Sequence, residues 1–313
     1  MSLKATREAY GEALLALGRS NNRIVALDAD LSQSTYSAGF AKAFPDRFFN
    51  VGVAEADLIG TAAGLAAAGK IPFASTFAVF ATGRVYDQIR NSVAYSRFNV
   101  KIVGSHSGVT VGEDGASHQA LEDISLMRSL PGMTIIVPAD APEAYRATLA
   151  AADWEGPVYL RLGRPKTAPV LPSDAPFQIG RGLLLKSGRD ICLLSTGSMT
   201  AVALEAAAIL AEQDIYATVI HLPTIKPLDK EMIIEGAAKT GAVITLEEHS
   251  IIGGLGSAVA ELLGEYRPTL LKRLGVPDCF GQSGTAEALL KHYGLTPSRV
   301  ATVAGEMVKN RGA

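Results

Sequence analysis

The chain has 313 residues, of which 48% are hydrophobic and 19% charged, with a formal net charge of −2. That is long enough for two ordinary domains with buried cores and too apolar for a disordered chain. The absence of a basic run argues against a nucleic-acid partner, and no apolar run approaches the roughly 18 residues of a bilayer-spanning helix, which argues against a membrane protein.

The opening stretch, MSLKATREAYGEALLALG, has the spacing of an amphipathic helix and not the build of a signal peptide. Short β-branched runs then alternate with helical stretches. RIVALDAD (23–30), FFNVGV (48–53), IPFASTF (71–77), VKIVGSH (100–106), MTIIVPAD (133–140) and PVYLRLGR (157–164) read as strands. Pro142 and Glu143 open a helix after the fifth of them. Residues 165–178, PKTAPVLPSDAPFQ, carry four prolines and no period, which places a first domain at 1–167 and a linker at 168–178. The alternation resumes with DICLLSTGS (190–198), a helix over 200–213, YATVIHL (216–222), GAVITLEEH (241–249), a helix after GGLGS, and LLKRLGV (270–276), so a second domain spans 179–313. Such alternation predicts an α/β fold of two doubly wound domains, each a mostly parallel sheet with helices on both faces, the second domain the smaller. Aromatic residues make up only 6%, while Ala and Gly abound, which suits close helix–sheet packing. Cys192 and Cys279 fit no metal-ligand spacing; both are expected in a reduced, buried core, which implies a cytoplasmic protein.

Open parallel sheets bind ligands beyond the carboxyl ends of their strands. Polar residues collect there in this sequence: Asp28 and Asp30 after the first strand, Glu55 after the second, Ser75, Thr76 and Phe77 at the third, His106 at the fourth, Asp140 at the fifth, Arg161 and Arg164 at the sixth. Glu55 alone could simply be an acidic residue in a first helical turn, where it meets the positive end of the dipole. The densest cluster is GSHSGVTVGEDGASHQALED (104–123), with His106 and His118 twelve residues apart and Asp114 between them. That spacing matches no common zinc pattern, so no metal set is assigned; Gly108, Gly112 and Gly115 suit a tight loop whose backbone approaches a ligand. Gly253, Gly254 and Gly256 could pass for a phosphate-binding turn, but the full G-x-G-x-x-G register is missing. His249, at a strand end, reads as structural.

The segments DADLSQS, NVGVAEADLIGTAAGLAAAG, STFAVFATGRVYDQIRN, SHSGVTVGEDGASHQALEDI, VPADAPEA and TLEEHSIIGGLGS, in that order, resemble the transketolase family of thiamine diphosphate enzymes. The resemblance covers almost the whole chain and is to the second half of a full-length member, its pyrimidine-binding domain plus its C-terminal domain. It implies that Glu55 meets N1′ of the cofactor's aminopyrimidine, where a carboxyl in an apolar cleft would disfavour its own charge and share a proton with the ring. It implies that Phe77 and Phe80 stack on that ring, that Leu31 lies near the thiazolium, and that a third aromatic of some members is replaced here by Gly83. His106 and Asp114 would meet sugar hydroxyls, His118 would lie near the cofactor's reactive end, and Arg7, Ser34 and Arg161 would hold the sugar phosphate. The family's Gly-Asp-Gly diphosphate and metal signature is missing. A separate N-terminal subunit carrying it would therefore hold the diphosphate and most of the shell of Mg²⁺ or Ca²⁺, in an α₂β₂ heterotetramer. The implied activity is transfer of a two-carbon ketol group from a ketose phosphate to an aldose phosphate by a split transketolase, with Glu55, His106 and His118 catalytic. Three alternatives stay open: a 1-deoxyxylulose-5-phosphate synthase-like chain, although the Asp-Arg pair usual near the position of His106 is missing; a 2-oxoacid dehydrogenase β-like subunit; and a non-catalytic partner that keeps the fold.

Overall fold

In the computed structural model, which describes residues 3–172 and 174–310, two sheets organise the chain. Both extremities of the expected domain pair and Ser173 of the expected linker lie outside the described residues. The first sheet is 7-stranded and uses β1 (Ile24–Asp28), β2 (Phe48–Asn50), β3 (Ile71–Phe77), β4 (Lys101–Ser105), β5 (Thr134–Ile136), β6 (Val158–Arg161) and, from the second half of the chain, β10 (Thr224–Lys226), in the order β10-β5-β6-β4-β3-β1-β2. The second is 5-stranded, with β7 (Leu183–Lys186), β8 (Ile191–Ser195), β9 (Ala217–His221), β11 (Ala242–Ser250) and β12 (Leu270–Val276) in the order β12-β11-β8-β9-β7. The longer helices are α1 (Thr6–Ser20), α2 (Glu55–Ala67), α3 (Asp123–Arg128), α4 (Ala141–Asp153), α5 (Met199–Ala211), α6 (Lys230–Thr240), α7 (Leu255–Tyr266), α8 (Ala286–His292) and α9 (Pro297–Asn310). No helix among the described residues is long and apolar enough to cross a membrane.

Every residue of β1, β4, β6, β8 and β9 is buried, as parallel strands covered on both faces require. This is why those strands read as near-continuous apolar runs. Two edge strands were not anticipated. β7 pairs antiparallel with β9, and β10 pairs antiparallel with β5. β10 is three residues between Pro223 and Pro227, a pattern that reads as a turn; it becomes a strand only because β5 offers an open edge. Through it the second domain completes the first domain's sheet. The Pro-rich stretch before β7 does not hang free either: the N–H groups of Val170 and Leu171 donate to Asp140 Oδ2 at 2.9 and 3.0 Å, and Leu171 and Ala175 bury against Ala139. Cys192 is buried in β8 as expected, but Cys279 is exposed, because it lies in an irregular segment beyond β12.

Two buried polar ties cross between the domains. Glu143 of α4 meets His221 Nε2 of β9 at 2.8 Å, and His221 Nδ1 meets Thr200 Oγ1 at 2.8 Å. Arg161, at the end of β6, donates from Nε to Asp123 Oδ2 at 2.7 Å and from Nη2 to Oδ1 at 3.2 Å and to the Glu248 carbonyl of β11 at 3.0 Å. Tyr159 donates to Asp123 Oδ2 at 2.6 Å. Burial works against both charges, yet their attraction outweighs it and holds Asp123 below and Arg161 above their ordinary ranges. Removing one member of such a pair strands a buried charge. Arg161→Met is expected to lose about 3–5 kcal/mol of unfolding free energy in urea at neutral pH, and adding Asp123→Leu should restore much of it. A loss below about 1 kcal/mol in the single variant would show that the pair carries little of the fold's stability.

Candidate active site

The carboxyl ends of β1, β3, β4 and β6 open on one side of the first sheet, where the strand order turns back at β1 and β3. β3 ends at Phe77, and Phe80 follows one turn later; their rings are nearly parallel, 12° apart, with centroids 6.1 Å apart. His106 follows β4 and stacks on Phe77 at 3.9 Å. His118, on the glycine-rich loop, meets Phe80 edge-on at 5.5 Å and Phe77 at 6.4 Å. The four expected ring residues thus form one cluster, although the two histidines come from opposite ends of the loop. Gly108, Gly112 and Gly115 in that loop all have positive φ, as its tight path demands. His106 itself has φ 56°, a conformation uncommon outside glycine in which His, Asn and Asp are the enriched exceptions.

Glu55 is the first residue of α2 and is 4% exposed. It does not sit in an apolar cleft. Arg84 Nη1 donates to both of its oxygens at 2.9 Å, and the same guanidinium lies 4.3 Å from the centroid of Phe80. The sequence did carry a signal for this: Arg84 stands four residues after Phe80 in a helical stretch, so the two share a face. Gly83, where a third aromatic was missed, faces open space, so its lack of a side chain leaves no hole within this chain.

A cleft of about 350 Å³ beside the ring cluster is lined by Arg7, Arg164 and the loop from Thr110 to Glu113. Arg7 donates from Nη1 to the Ser34 carbonyl at 2.6 Å, so Ser34 enters through its backbone here. Arg164 reaches Asp114 at 3.4 Å and donates to the Val111 carbonyl. Arg161, expected in this group, is not there: it is 5% exposed and committed to Asp123. It lies inside the β6 register, paired with Gly104, whereas Arg164 lies past the strand end and is free to turn into the cleft. Leu31 is half-buried in the loop after β1, its N–H bonded to the Asp28 carboxylate.

Other strand-end polar groups are structural. Asp28 is held by Thr35 and Ser37, Ser75 by Tyr10, and Asp140 caps α4 by accepting from Glu143 N–H at 2.9 Å. The glycine turn before α7 is no phosphate seat, because Glu247 already accepts from the Leu255 and Gly256 N–H groups at 2.7 and 2.8 Å. Burial pushes the Glu247 carboxyl up to about 7, against those two bonds. His249 is buried between Asp123 and Glu247, at 3.8 and 3.7 Å. Among the described residues no group of three His, Cys, Asp or Glu side chains could hold a metal ion.

Burial pushes the His106 imidazole down to about 3, and the nearby Arg7, Arg164 and His118 push the same way. His106 is therefore neutral at physiological pH, able to donate from one nitrogen and accept at the other. Its C2 proton signal should stay flat between about pH 5 and 8, where a free imidazole titrates near about 6.5. The sign for stability follows. The unfolded imidazole takes a proton that the folded one refuses, so this residue's contribution falls as pH drops below about 6.5, down to about 3. A titrating His106 signal near 6.5 would contradict this.

With this geometry in view, the comparisons with known proteins are specific. Residues 3–169 match the family model described as transketolase, pyrimidine binding domain, and residues 180–300 match transketolase, C-terminal domain. The chain is 48% identical over 301 residues to a putative transketolase C-terminal section of Methanocaldococcus jannaschii, covering 95% of this chain and 94% of that protein. It is 45% identical over 305 residues to a 6-deoxy-6-sulfo-D-fructose transketolase subunit of a Clostridium species, covering 97% and 95%. Among solved structures it superposes with a TM-score of 0.91 and 53% identity on a split gene transketolase described as an inactive beta4 tetramer, covering 97% of this chain and 98% of that one.

Proposed function

The chain belongs to the transketolase family, and on that footing we propose that it is the C-terminal subunit of a split transketolase, transferring a two-carbon ketol group between sugars with thiamine diphosphate. The observation that carries this reading is the buried Glu55 carboxylate beside the near-parallel Phe77 and Phe80 rings, at the carboxyl end of a parallel sheet. Flat aromatic walls and a lone carboxylate fit a small nitrogen heterocycle: the walls hold its faces and the carboxylate holds a proton at a ring nitrogen. When bound, the cofactor supplies the carbanion chemistry that side chains cannot. Glu55 is then the group that holds or moves the proton at N1′, and Leu31 packs near the thiazolium.

His106 and His118 contact the same rings, and the neutral imidazole of His106 can pass a hydrogen bond to or from a sugar hydroxyl. Asp114 would accept from another hydroxyl. Arg7 and Arg164 line the adjoining cleft, and two guanidinium groups there suit a terminal oxyanion. The phosphate role expected of Arg161 passes to Arg164. A relative named for 6-deoxy-6-sulfo-D-fructose fits the same logic, since a sulfonate is also a terminal oxyanion. The sugar class proposed is therefore a ketose or aldose with an anionic end group. The Gly-Asp-Gly signature is absent from this chain, so a separate N-terminal subunit would supply the diphosphate and Mg²⁺ half, in an α₂β₂ assembly in the cytoplasm.

Two variants test the assignment in the complex reconstituted with the N-terminal subunit. Glu55→Gln should lower kcat for ketol transfer by at least about 100-fold while the complex elutes unchanged on gel filtration. Near-normal turnover would reject Glu55. Arg164→Ala should raise KM for a phosphorylated acceptor about tenfold or more and leave an unphosphorylated one nearly untouched. Equal effects on both acceptors would remove the phosphate role.

A further inference from the structure

Glu55 poses a problem for the chain before any cofactor binds. A carboxylate that is 4% exposed is costly without a partner. Arg84 solves it. Its guanidinium is flat, bonds both Glu55 oxygens at 2.9 Å, and lies over the Phe80 ring at 4.3 Å. Stacking on Phe80 while hydrogen-bonding Glu55 is what the reading above asks of the pyrimidine ring. A planar cation is the side-chain group best suited to imitate it.

We infer that Arg84 is a placeholder for the pyrimidine ring, occupying both of that ring's contacts in the cofactor-free chain and giving them up when the ring binds. The inference rests on the proposed role of Glu55 and adds a residue that sets how readily the ring is admitted. Three features make the exchange easy. The Arg84 side chain is 50% exposed, so water is its alternative partner. Among the described residues Glu55 is its one ion-pair partner and Phe80 its one aromatic contact. Gly83 beside it carries no side chain and faces open space, so the adjacent residue adds no bulk next to the guanidinium. The ring takes over the Glu55 contacts as Arg84 withdraws to water, so the buried carboxylate is never left without a partner and the exchange avoids the cost of stranding it. Arg84 is thus a positioning residue: it neutralises Glu55 until the ring does so.

The test uses the full chain and, as probe, the free pyrimidine half of the cofactor, 4-amino-5-hydroxymethyl-2-methylpyrimidine, with affinity read by NMR titration. Arg84→Met keeps the stem and removes the plane and the charge; it should bind the probe about three- to tenfold more tightly than the natural chain, with Arg84→Lys between them. Adding Glu55→Gln to Arg84→Met should abolish the gain. Raising NaCl from about 50 to about 500 mM should tighten the probe on the natural chain but not on Arg84→Met, because salt screens the competing pair. This salt comparison on the natural chain decides the matter should Arg84→Met fail to fold. Arg84→Met binding no more tightly than the natural chain, with Glu55→Gln still weakening the probe, would overturn the placeholder and leave the role of Glu55 standing. Probe affinity indifferent to Glu55→Gln in both backgrounds, or no binding to any variant, would remove both.

Discussion

The buried pair between Arg161 and Asp123 is the constraint on which the site's geometry depends. Arg161 holds the start of α3 through Asp123 and the end of β11 through the Glu248 carbonyl, so one guanidinium locks the first domain's sheet to an interior strand of the second domain's sheet. Glu248, fixed at that place, turns its side chain back: Oε1 accepts from the Thr110 N–H at 2.7 Å, and Oε2 from Ser198 at 2.8 Å. Thr110 stands in the loop that carries His106 and His118. Gly108, with φ 76°, is required there, because a Cβ would meet the Glu248 carboxylate at 2.2 Å. The second domain therefore does not merely follow the first. It supplies the carboxylate that shapes the first domain's ligand loop and the strand that closes its sheet.

The site separates its charges by place. Arg7 and Arg164 gather at the cleft, with Asp114 beside them. Arg84 and Glu55 form an ion pair against the Phe80 ring. His106, between the two zones, stays neutral because burial and the flanking cations both oppose its proton. On the proposed reading this division has a use. The cleft cations meet an anionic end group, the imidazole handles hydroxyl hydrogen bonds without adding charge, and the carboxylate is kept for the ring nitrogen.

Much of this was legible in the sequence because it rests on local pattern. Strand-end residues project toward one side of a parallel sheet, which placed Phe77 and His106 together; the glycine-rich loop added His118 and the family resemblance added Phe80, and the structure brings the four within ring contact. What failed depended on tertiary context. β10 has no periodicity of its own and exists only against β5. Arg161 and Arg164 differ by three residues, and only the register of β6 against β4 decides which is buried and which turns outward. Cys279 looked like a core residue by type, but its segment lies outside the sheet. The carboxylate of Glu55 was found; its partner Arg84 lies 29 residues away and was overlooked, so the polarity of its surroundings was misjudged.

The same accounting explains why this chain would need another to hold a diphosphate. Helix N-termini are the usual backbone seats for phosphate. Several in this chain are already taken by its own carboxylates. Asp140 caps α4, Asp229 caps α6, and Glu247 fills the start of α7. Ser198, at the start of α5, is bonded to Glu248, and α2 begins with Glu55 and Asp57. At α4, α6 and α7 a carboxylate already accepts from helix-start N–H groups, and at α2 and α5 a carboxylate stands close by, so an anion would meet negative charge at each. Anion binding is left to side-chain guanidinium groups at the cleft, which suit a single terminal phosphate. Two linked phosphates and a divalent cation call for oxygen ligands and free backbone donors together. On the proposed reading, a half-site with aromatic walls, one ring-facing carboxylate and helix ends neutralised from within would be complete only when a second surface supplies those groups.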